Sequence, residues 1–289
     1  MHVAVDAMGG DYAPREVVTG AFRAAVDHGT PILLVGDEER IRVELTRLGD
    51  AGDHLRVIHA DEVVEMDEPA ITPIRRKKAS SIRLCADLVH EGQAQAMVSA
   101  GNTGAAMIAA KMIIGTIPGV DRPALAAEFP NPRGRTVVLD VGANVDTKPA
   151  HLREFAVMGH FYAQEVNQIP FPKIGLMSIG EEESKGTDMT REVFRVLQET
   201  GLNFIGNVEG QDAFNGSVDV IVCDGFVGNV LLKSAEAVAE LIRGMLREEL
   251  AKSPRRALGG WLARPAFDSL ARRTDYREYG AAPLLGLRG

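Results

Sequence analysis

The sequence has few cysteines and no excess of basic charge. Only two of its 289 residues are cysteine, Cys85 and Cys223, too few for a disulfide framework or a zinc site, which indicates a reducing cytosol. Aspartate and glutamate outnumber lysine and arginine by 40 to 32, a net charge of −8, whereas a general nucleic-acid binder is normally basic. We therefore predict a cytoplasmic protein without a nucleic-acid partner.

Long apolar segments and an export signal are also missing. The most apolar stretch, residues 105–120, contains Lys111 and Pro118 and is too short to span a bilayer. The first residues, HVAVDAMGG, are typical of a strand and a turn, without the basic region of a signal peptide. Secreted and integral-membrane classes are therefore disfavoured.

Several catalytic motifs do not occur. The nearest approach to G-x-S-x-G is GLMSIG at 175–180, which has one residue too many before the serine and excludes a serine-hydrolase elbow. The sequence contains neither a G-x-x-x-x-G-K-[ST] phosphate loop nor a G-x-G-x-x-G dinucleotide fingerprint after a strand. Its seven histidines show no metal-ligand spacing, so no metal site is predicted.

The sequence does contain an alternation of apolar runs and helical patterns. Apolar runs rich in Val, Ile and Leu occupy residues 2–7, 31–36, 55–60, 96–100, 136–141, 173–179, 203–206 and 218–224. The last helical pattern is the longest and runs from Leu231 to about Leu250. Near-continuous apolar strands that alternate with helices indicate a mostly parallel sheet covered on both faces. We predict one doubly wound α/β/α sandwich over residues 1–289.

Glycine-rich turns follow four of the predicted strands. They are Met8-Gly9-Gly10-Asp11, Gly101-Asn102-Thr103-Gly104, Gly142-Ala143-Asn144 and Asp224-Gly225-Phe226-Val227-Gly228-Asn229. Glycine lets a backbone approach an anion closely, and a helix N-terminus offers free N–H groups and a positive dipole end. Each turn alone is equally consistent with a tight turn that needs glycine. Because such sheets bind ligands outside the carboxyl ends of their strands, the four turns together predict a phosphate-bearing ligand.

Two charged segments lie in predicted loops. In residues 180–186, GEEESKG, Lys185 lies beside a glycine at the expected rim of the crevice, where a lysine neutralises a phosphate or an oxyanion. The acidic triplet is otherwise typical of a solvated face. The second segment is a compact basic block, Arg75, Arg76, Lys77 and Lys78. It indicates either an ordinary surface run or a docking patch for an acidic partner or ligand.

The region 252–273 differs in composition from the rest of the chain. It contains six Lys or Arg residues and one Asp. Apolar side chains are interleaved with them, among them Leu258, Trp261, Leu262 and Phe267. The pattern predicts an amphipathic helical hairpin with a basic face. Such a hairpin either packs on a partner subunit or docks on an anionic membrane surface, where each basic residue contributes about 1 kcal/mol.

Eight segments follow one another in chain order: DAMGGDYAP (6–14), SAGNTGA (99–105), RPALA (122–126), LDVGANVD (139–146), IGEEESKG (179–186), FIGNVEG (204–210), VCDGFVGNVLLK (222–233) and YGAAPLLG (279–286). Together they resemble the motifs of bacterial phosphate acyltransferases, the acyl-carrier-protein (ACP):phosphate acyltransferases of phospholipid synthesis. The resemblance implies an isocitrate/isopropylmalate dehydrogenase-like or phosphotransacetylase-like sandwich. It also implies that inorganic phosphate attacks the thioester of a long-chain acyl-ACP, without a covalent acyl-enzyme or a cofactor.

The resemblance implies partners as well. It implies a homodimer, peripheral association with the inner face of the membrane, and delivery of acyl phosphate to a membrane glycerol-3-phosphate acyltransferase. The sequence departs from the family at two places: Ala281 replaces a glycine of the last motif, and the chain stops at Gly289, where the family usually continues. We therefore expect a C-terminus shortened relative to the family.

The chemistry of the predicted site is consistent with the resemblance, because a phosphate dianion is already a nucleophile and needs no catalytic Ser, Cys or His. Such a site must hold phosphate, aim it at the carbonyl and stabilise an oxyanion. The predicted catalytic residues are Lys185, which stabilises charge, and Asp224 and Asn229, which orient phosphate or thioester. The residues predicted to bind phosphate or acyl-pantetheine are Gly9, Gly10, Asp11, Ser99, Gly101, Asn102, Thr103, Gly104, Asn144, Gly225, Gly228 and Lys233. The basic block 75–78, or the basic hairpin, is the predicted docking surface for the acidic carrier.

Three other functions remain open at this point. The first is a phosphate acetyl- or butyryltransferase that uses an acyl-CoA thioester. An NAD-dependent dehydrogenase of related architecture is less favoured, because the dinucleotide fingerprint is missing. A non-catalytic scaffold for lipid-synthesis enzymes on the membrane needs only the hairpin and a dimer interface, and leaves the four glycine-rich turns unexplained.

Overall fold

The computed structural model describes residues 2–69, 71–274 and 282–289, apart from the side chains of residues 73 and 271–274. The strands are β1 (Val3–Asp6), β2 (Ile32–Gly36), β3 (Leu55–His59), β4 (Ala96–Ser99), β5 (Ala124–Asn131), β6 (Gly134–Leu139), β7 (Ile174–Met177), β8 (Phe204–Val208), β9 (Val220–Val222) and β10 (Leu284–Leu285). The helices are α1 (Arg15–His28), α2 (Glu38–Leu48), α3 (Ile71–Arg76), α4 (Ser81–His90), α5 (Thr103–Ala109), α6 (Pro149–Glu165), α7 (Asp188–Gln198), α8 (Asp212–Asn215), α9 (Gly225–Ala251), α10 (Pro254–Leu262) and α11 (Arg264–Thr274). A π-helical segment, Ala110–Ile114, follows α5 directly.

The chain forms two compact units. The first comprises Met1–Pro123 and Gly286–Gly289, and the second Ala124–Leu285. The described strands pair into a four-stranded sheet, β3-β2-β1-β4, and a six-stranded sheet, β10-β5-β6-β9-β7-β8. The sequence predicts one sandwich, whereas the structure divides the strands between two sheets. The four glycine-rich turns consequently lie on two sheet edges, two turns on each.

The sheet of the first unit is parallel throughout. Apolar side chains of β1 and β2, among them Val5 and Leu34, form one core cluster with Val18 of α1 and Ile41 of α2, and α4 packs against β1 and β4. The strand order changes direction beside β1, because β2 and β4 lie on its two sides. The turns after β1 and β4 therefore occupy a topological switch point, where open α/β sheets bind ligands.

The sheet of the second unit is mostly parallel. Strands β6, β9, β7 and β8 run parallel, whereas β5 is antiparallel to β6 and β10 is antiparallel to β5. Val138 and Ile221 pack with residues of α8 and α9, while Leu139 and Val220 lie against Gly159 of α6. Because neighbouring residues of a strand point to opposite faces, both faces are covered. The predicted α/β class with a mostly parallel sheet is confirmed.

Three elements differ from the sequence-based prediction. The long helix begins at Gly225 instead of Leu231, because the Asp224 side chain accepts a hydrogen bond from the Val227 amide and caps α9 there. Strand β5 was not predicted, since Pro130 and the adjacent polar turn obscure its alternation. Helix α3 lies within a segment that was predicted to be a polar loop.

Helices α10 and α11 cover the segment predicted to form a basic hairpin. Leu258, Trp261 and Leu262 are each more than half exposed, and Phe267 is half-buried. The side chains of Arg272 and Arg273 lie outside the described residues, as do residues 279–281 of the motif at 279–286, Ala281 among them. Within the described ranges, no helix combines the length and the hydrophobicity needed to cross a membrane.

Candidate functional site

A buried carboxylate organises the two turns of the first unit. Asp6, the last residue of β1, is 2% exposed. Its Oδ1 accepts a hydrogen bond from the Met8 amide at 3.2 Å, and its Oδ2 accepts one from the Ser99 hydroxyl at 2.7 Å. Ser99 Oγ in turn accepts the Gly101 amide at 3.1 Å. Ser99 therefore links Asp6 to the turn after β4.

The same two turns touch backbone to backbone. A Cβ on Gly9 would lie 2.6 Å from the Gly101 nitrogen, and a Cβ on Gly101 would lie 3.0 Å from the Gly9 Cα. Gly10 has a φ of +104°, which favours glycine. The close approach alone requires glycine at positions 9 and 101, whatever ligand the turns bind.

Asn102 connects the turn to a distant loop. Its Oδ1 accepts the Ala105 amide at 3.0 Å and caps α5. Its Nδ2 donates to the carbonyl oxygens of Glu65, Met66 and Glu68 at 2.9–3.2 Å. The Asn102 side chain, predicted to bind phosphate, is thus engaged by the protein itself.

Free backbone donors lie next to Asn102. Among the described residues, the amides of Thr103 and Gly104 have no hydrogen-bond acceptor. They are at the start of α5, where the helix dipole favours an anion. Asp11, at the other turn, is exposed. The first unit thus offers backbone amides for an anion.

The basic block divides into an internal lysine and three exposed cations. Lys77 Nζ donates to the Val63 carbonyl at 2.8 Å and forms an ion pair with Glu68. The amide of Glu65 and the charge of Lys77 lower the pKa of Glu68. The exposed cations are Arg75, Arg76 and Lys78. Lys77 is therefore bound by the protein itself, and the other three cations of the block face solvent.

A second buried carboxylate organises the second unit. Asp140, directly after β6, is 0% exposed. Its Oδ1 accepts the amides of Leu125 and Ala143 at 2.9 and 3.1 Å. Its Oδ2 accepts the backbone amide of Asn144 at 2.6 Å and the side-chain amide at 2.9 Å. Burial raises the pKa of Asp140, opposed by these hydrogen bonds.

The turn 142–144 already holds an anion, namely the Asp140 carboxylate. Two amides of this turn and one side-chain donor of Asn144 point to that carboxylate. Asn144 was predicted to donate to phosphate, but the structure shows it as a partner of Asp140. The strand-end aspartates Asp6 and Asp140 were both missed as organising residues. Each is followed within three residues by a glycine, and that spacing is the signal that could have identified them.

The first turn of α9 packs closely on Asp140 and Asn144. The Gly225 amide donates to the Asn144 carbonyl at 2.8 Å, and the Gly228 amide donates to the Asp224 carbonyl at 3.1 Å. In the described part of the chain, the Phe226 amide is the one in this turn without an acceptor. The N-terminus of α9 therefore offers one free amide to a ligand.

Asn229 and Lys233 follow on α9. Asn229 is exposed, and its Oδ1 would lie 3.6 Å from a Cβ on Gly142. The Asn229 side chain thus lies over the turn after β6. Lys233 Nζ forms an ion pair with Glu236 at 2.9 Å. Lys233 lies about one helical turn after Asn229 on α9.

Lys185 lies on the same sheet edge. Strands β6, β9 and β7 are neighbours and run parallel, so the segments after them meet at one edge. Lys185 is exposed, and its ammonium has no partner among the described residues. Arg191 holds the loop by donating to the Gly186 carbonyl at 3.0 Å and pairing with Asp188. The loop therefore presents Lys185 as an unpaired cation.

The cysteines are unsuited to nucleophilic chemistry. Cys85 and Cys223 are both buried, and burial raises the pKa of each thiol well above its usual value. A thiol is nucleophilic as the thiolate, which burial disfavours. No group of three or more potential metal ligands occurs within the described ranges. Among the described residues, the donors that the two edges offer to a ligand are the amides of Thr103, Gly104 and Phe226 and the ammonium of Lys185.

Comparisons with known proteins give the family. Residues 1–289 match the model of a family described as "Fatty acid synthesis protein". The phosphate acyltransferase of Pelotomaculum thermopropionicum is 53% identical over 100% of this chain and 84% of its own length. The phosphate acyltransferase of Geobacter sulfurreducens is 52% identical with the same coverage.

Solved structures with the same fold include two phosphotransacetylases. That of Streptococcus pyogenes has a TM-score of 0.64 at 23% identity, and that of Staphylococcus aureus has a TM-score of 0.61 at 18% identity. Each comparison covers 83% of this chain and 82% of the other. The predicted phosphotransacetylase-like fold is confirmed. The match over the full chain, at 52–53% identity, shows that this chain belongs to the phosphate acyltransferases, a family of acyl-transferring enzymes.

Proposed function

We propose that this acyltransferase converts acyl-ACP and inorganic phosphate into acyl phosphate and free carrier, an early step of phospholipid synthesis. A phosphate oxygen attacks the thioester carbonyl and forms a C–O bond. The tetrahedral oxyanion then collapses, the C–S bond breaks, and the carrier thiolate leaves and takes a proton from solvent. No acyl-enzyme forms, and no metal or cofactor takes part.

The observation that carries this proposal is the unpaired Lys185 on the edge that also bears Asn229 and the start of α9. A fixed cation or donor is most effective where charge develops in the transition state. Lys185 accordingly stabilises the oxyanion, and Asn229 orients the thioester or the phosphate. Asp224 caps α9 and acts by holding Asn229 in place.

The turns of the first unit supply anion binding in this proposal. Thr103 and Gly104 offer free amides at the start of α5, and Gly9, Gly10 and Asp11 line the neighbouring turn. Asp6 and Ser99 hold these turns together. Backbone donors of this kind suit the phosphate or the phosphate-bearing pantetheine arm of the carrier.

The exposed cations Arg75, Arg76 and Lys78 are the proposed docking surface for the acidic carrier protein. Opposite charges speed association and fix orientation more than they raise affinity. We therefore expect charge reversal at these three positions to raise KM for acyl-ACP at unchanged kcat. The rise is expected to shrink with increasing salt, because salt screens exposed charges.

Helices α10 and α11 are proposed to attach a cytoplasmic homodimer to the inner face of the membrane, beside the glycerol-3-phosphate acyltransferase that takes up acyl phosphate. Exposed Leu258, Trp261 and Leu262 support this, with basic residues on the same helices. Replacing Trp261 and Leu262 with Glu is expected to abolish sedimentation with anionic liposomes while activity on acyl-ACP is kept. If the wild-type protein does not sediment with these liposomes, the membrane proposal is wrong.

The experiment that tests the function mixes the protein with palmitoyl-ACP and phosphate and follows free thiol and acyl phosphate. We expect thiol release that depends on phosphate and that palmitoyl-CoA does not support. Release with acyl-CoA alone would instead assign a CoA-dependent phosphate acyltransferase. Absence of release with either donor would contradict both.

A further inference from the structure

A groove in the second unit runs along one side of α9. It encloses about 460 Å³ between α9, the strand β5 and helix α8. Phe129 and Phe214 form part of its wall, with ring centroids 5.4 Å apart in an edge-to-face arrangement. Ala235 and Ala239 line it from α9, and their small side chains leave the space open. The volume is within the range of ligand pockets, about 300–1,000 Å³.

The groove begins close to Asn229, on the sheet edge that also bears Lys185. Its first α9 residue, Leu232, lies three positions after Asn229, which is less than one helical turn. Its last α9 residue is Arg243. Eleven residue steps separate Leu232 from Arg243, so the groove extends about 16 Å along the helix at 1.5 Å per residue. An elongated occupant would have one end beside Asn229.

Paired charges flank the apolar wall. Lys233 pairs with Glu236 at 2.9 Å, and Glu128 pairs with Arg135 at 2.5 Å. Leu232 and Ala235 pack on the buried cluster that includes Phe129. The groove thus has an apolar wall flanked by two ion pairs, with Glu240 and Arg243 at its far end, and the apolar wall suits a chain of methylene groups.

We propose that this groove binds the acyl chain of the thioester substrate, with the carbonyl end beside Asn229 and the methyl end towards Arg243. The inference rests on the proposed function and adds to it the location of the fatty chain. The length of the groove makes chain length a specificity determinant. Each buried methylene corresponds to about fourfold in affinity, so long chains are strongly favoured over short ones.

The test fills the groove with a larger side chain. Ala239→Phe projects a ring into the trough, and Val238→Phe is the matched control, because Val238 is exposed and does not line the groove. We expect Ala239→Phe to raise KM for palmitoyl-ACP tenfold or more, with KM for butyryl-ACP unchanged. Val238→Phe is expected to leave both values unchanged. Ala239→Met, a smaller change, is expected to shift the preference to intermediate chain lengths.

A binding measurement on the wild-type protein does not depend on folding of the variants. We expect the fluorescence of cis-parinaric acid to rise on binding, and palmitate but not butyrate to displace it. A saturable probe site that Ala239→Phe leaves intact would overturn the proposal. The proposal would also be overturned if Ala239→Phe changed the oligomeric state of the protein and left its chain-length profile unchanged. That result would mean that a second copy of the chain covers the groove.

The failure of this proposal is distinguishable from failure of the proposed function. Wild-type protein that releases no thiol from either donor contradicts the function. Wild-type protein that is active on palmitoyl-ACP, with an Ala239→Phe variant that has the same ratio of palmitoyl to butyryl activity, contradicts the groove alone.

Discussion

The carbonyl oxygen of Asp140 lies only 1.9 Å from the position that a Cβ on Gly228 would occupy. Gly228→Ala must therefore push α9 away from the turn after β6. We expect it to lower the free energy of unfolding by about 3 kcal/mol or more, the upper part of the range for overpacking. Gly244→Ala is the control in the same helix, because a Cβ there meets nothing within 4 Å. It is expected to stabilise by about 0.8–1 kcal/mol. Urea denaturation of the two variants measures both changes.

Lys185→Ala is expected to lower kcat by about 10²–10³, as loss of one oxyanion donor does, with little change in Tm. The loss of stability is small because the ammonium is exposed and has no partner in the described part of the chain. Lys173→Ala, which changes an exposed lysine just before β7, is the control and should retain full activity. Steady-state kinetics with palmitoyl-ACP measure kcat of both variants and of the wild-type protein. An unchanged kcat in Lys185→Ala would remove this residue from the mechanism.

Replacing Asn102 separates its two contacts. Asn102→Ser keeps a good helix cap for α5 but removes the donor to the carbonyls of residues 65–68. Asn102→Ala removes both contacts and is expected to cost about 1 kcal/mol more than the serine variant. We expect faster amide hydrogen exchange in residues 63–69 of both variants. Exchange as slow as in the wild-type protein would show that Asn102 does not hold this loop.

The stability of the second unit is expected to depend on Tyr162 in alkali. Burial, followed by the nearby negative charge of Glu128, raises the pKa of Tyr162 from 10.0 to about 12. The neutral phenol is therefore favoured in the folded state, and its contribution is complete below pH 10 and lost as pH rises through 12. Wild-type protein should lose more stability than Tyr162→Phe between these pH values. Equal losses in parallel denaturation curves would contradict this.

Much of the fold was predictable because buried parallel strands are nearly continuous runs of Val, Ile and Leu. Such runs identified β6 and β9 and the helices between the strands. The division into two sheets was not predictable, because strand order depends on contacts between distant segments. Strand β5 was not predicted for a local reason. It ends at Pro130-Asn131 and contains Ala instead of large β-branched residues.

The candidate site was predictable as a set of segments but not as a set of roles. Glycine-rich turns after strands indicated the binding segments, although the turns were expected at one sheet edge and lie on two, and Lys185 stood out by the glycine beside it. The role of Asn102 was not predictable, because the carbonyls that it binds lie 34–37 residues away in the chain. The same holds for Asp140, whose partner Leu125 is on a different strand.

Helix α9 is a single element that carries the Asn229 edge at one end and α10 at the other, where Gly260 packs on Leu250. Its 27 residues extend about 40 Å. Asn229 and Leu250 are 21 residues apart, so about 32 Å of helix separate the Asn229 edge from the place where α10 packs. Under the proposed function, the acyl phosphate must leave its groove and travel that distance to a membrane held at α10, so its release is a separate step in supplying the next enzyme.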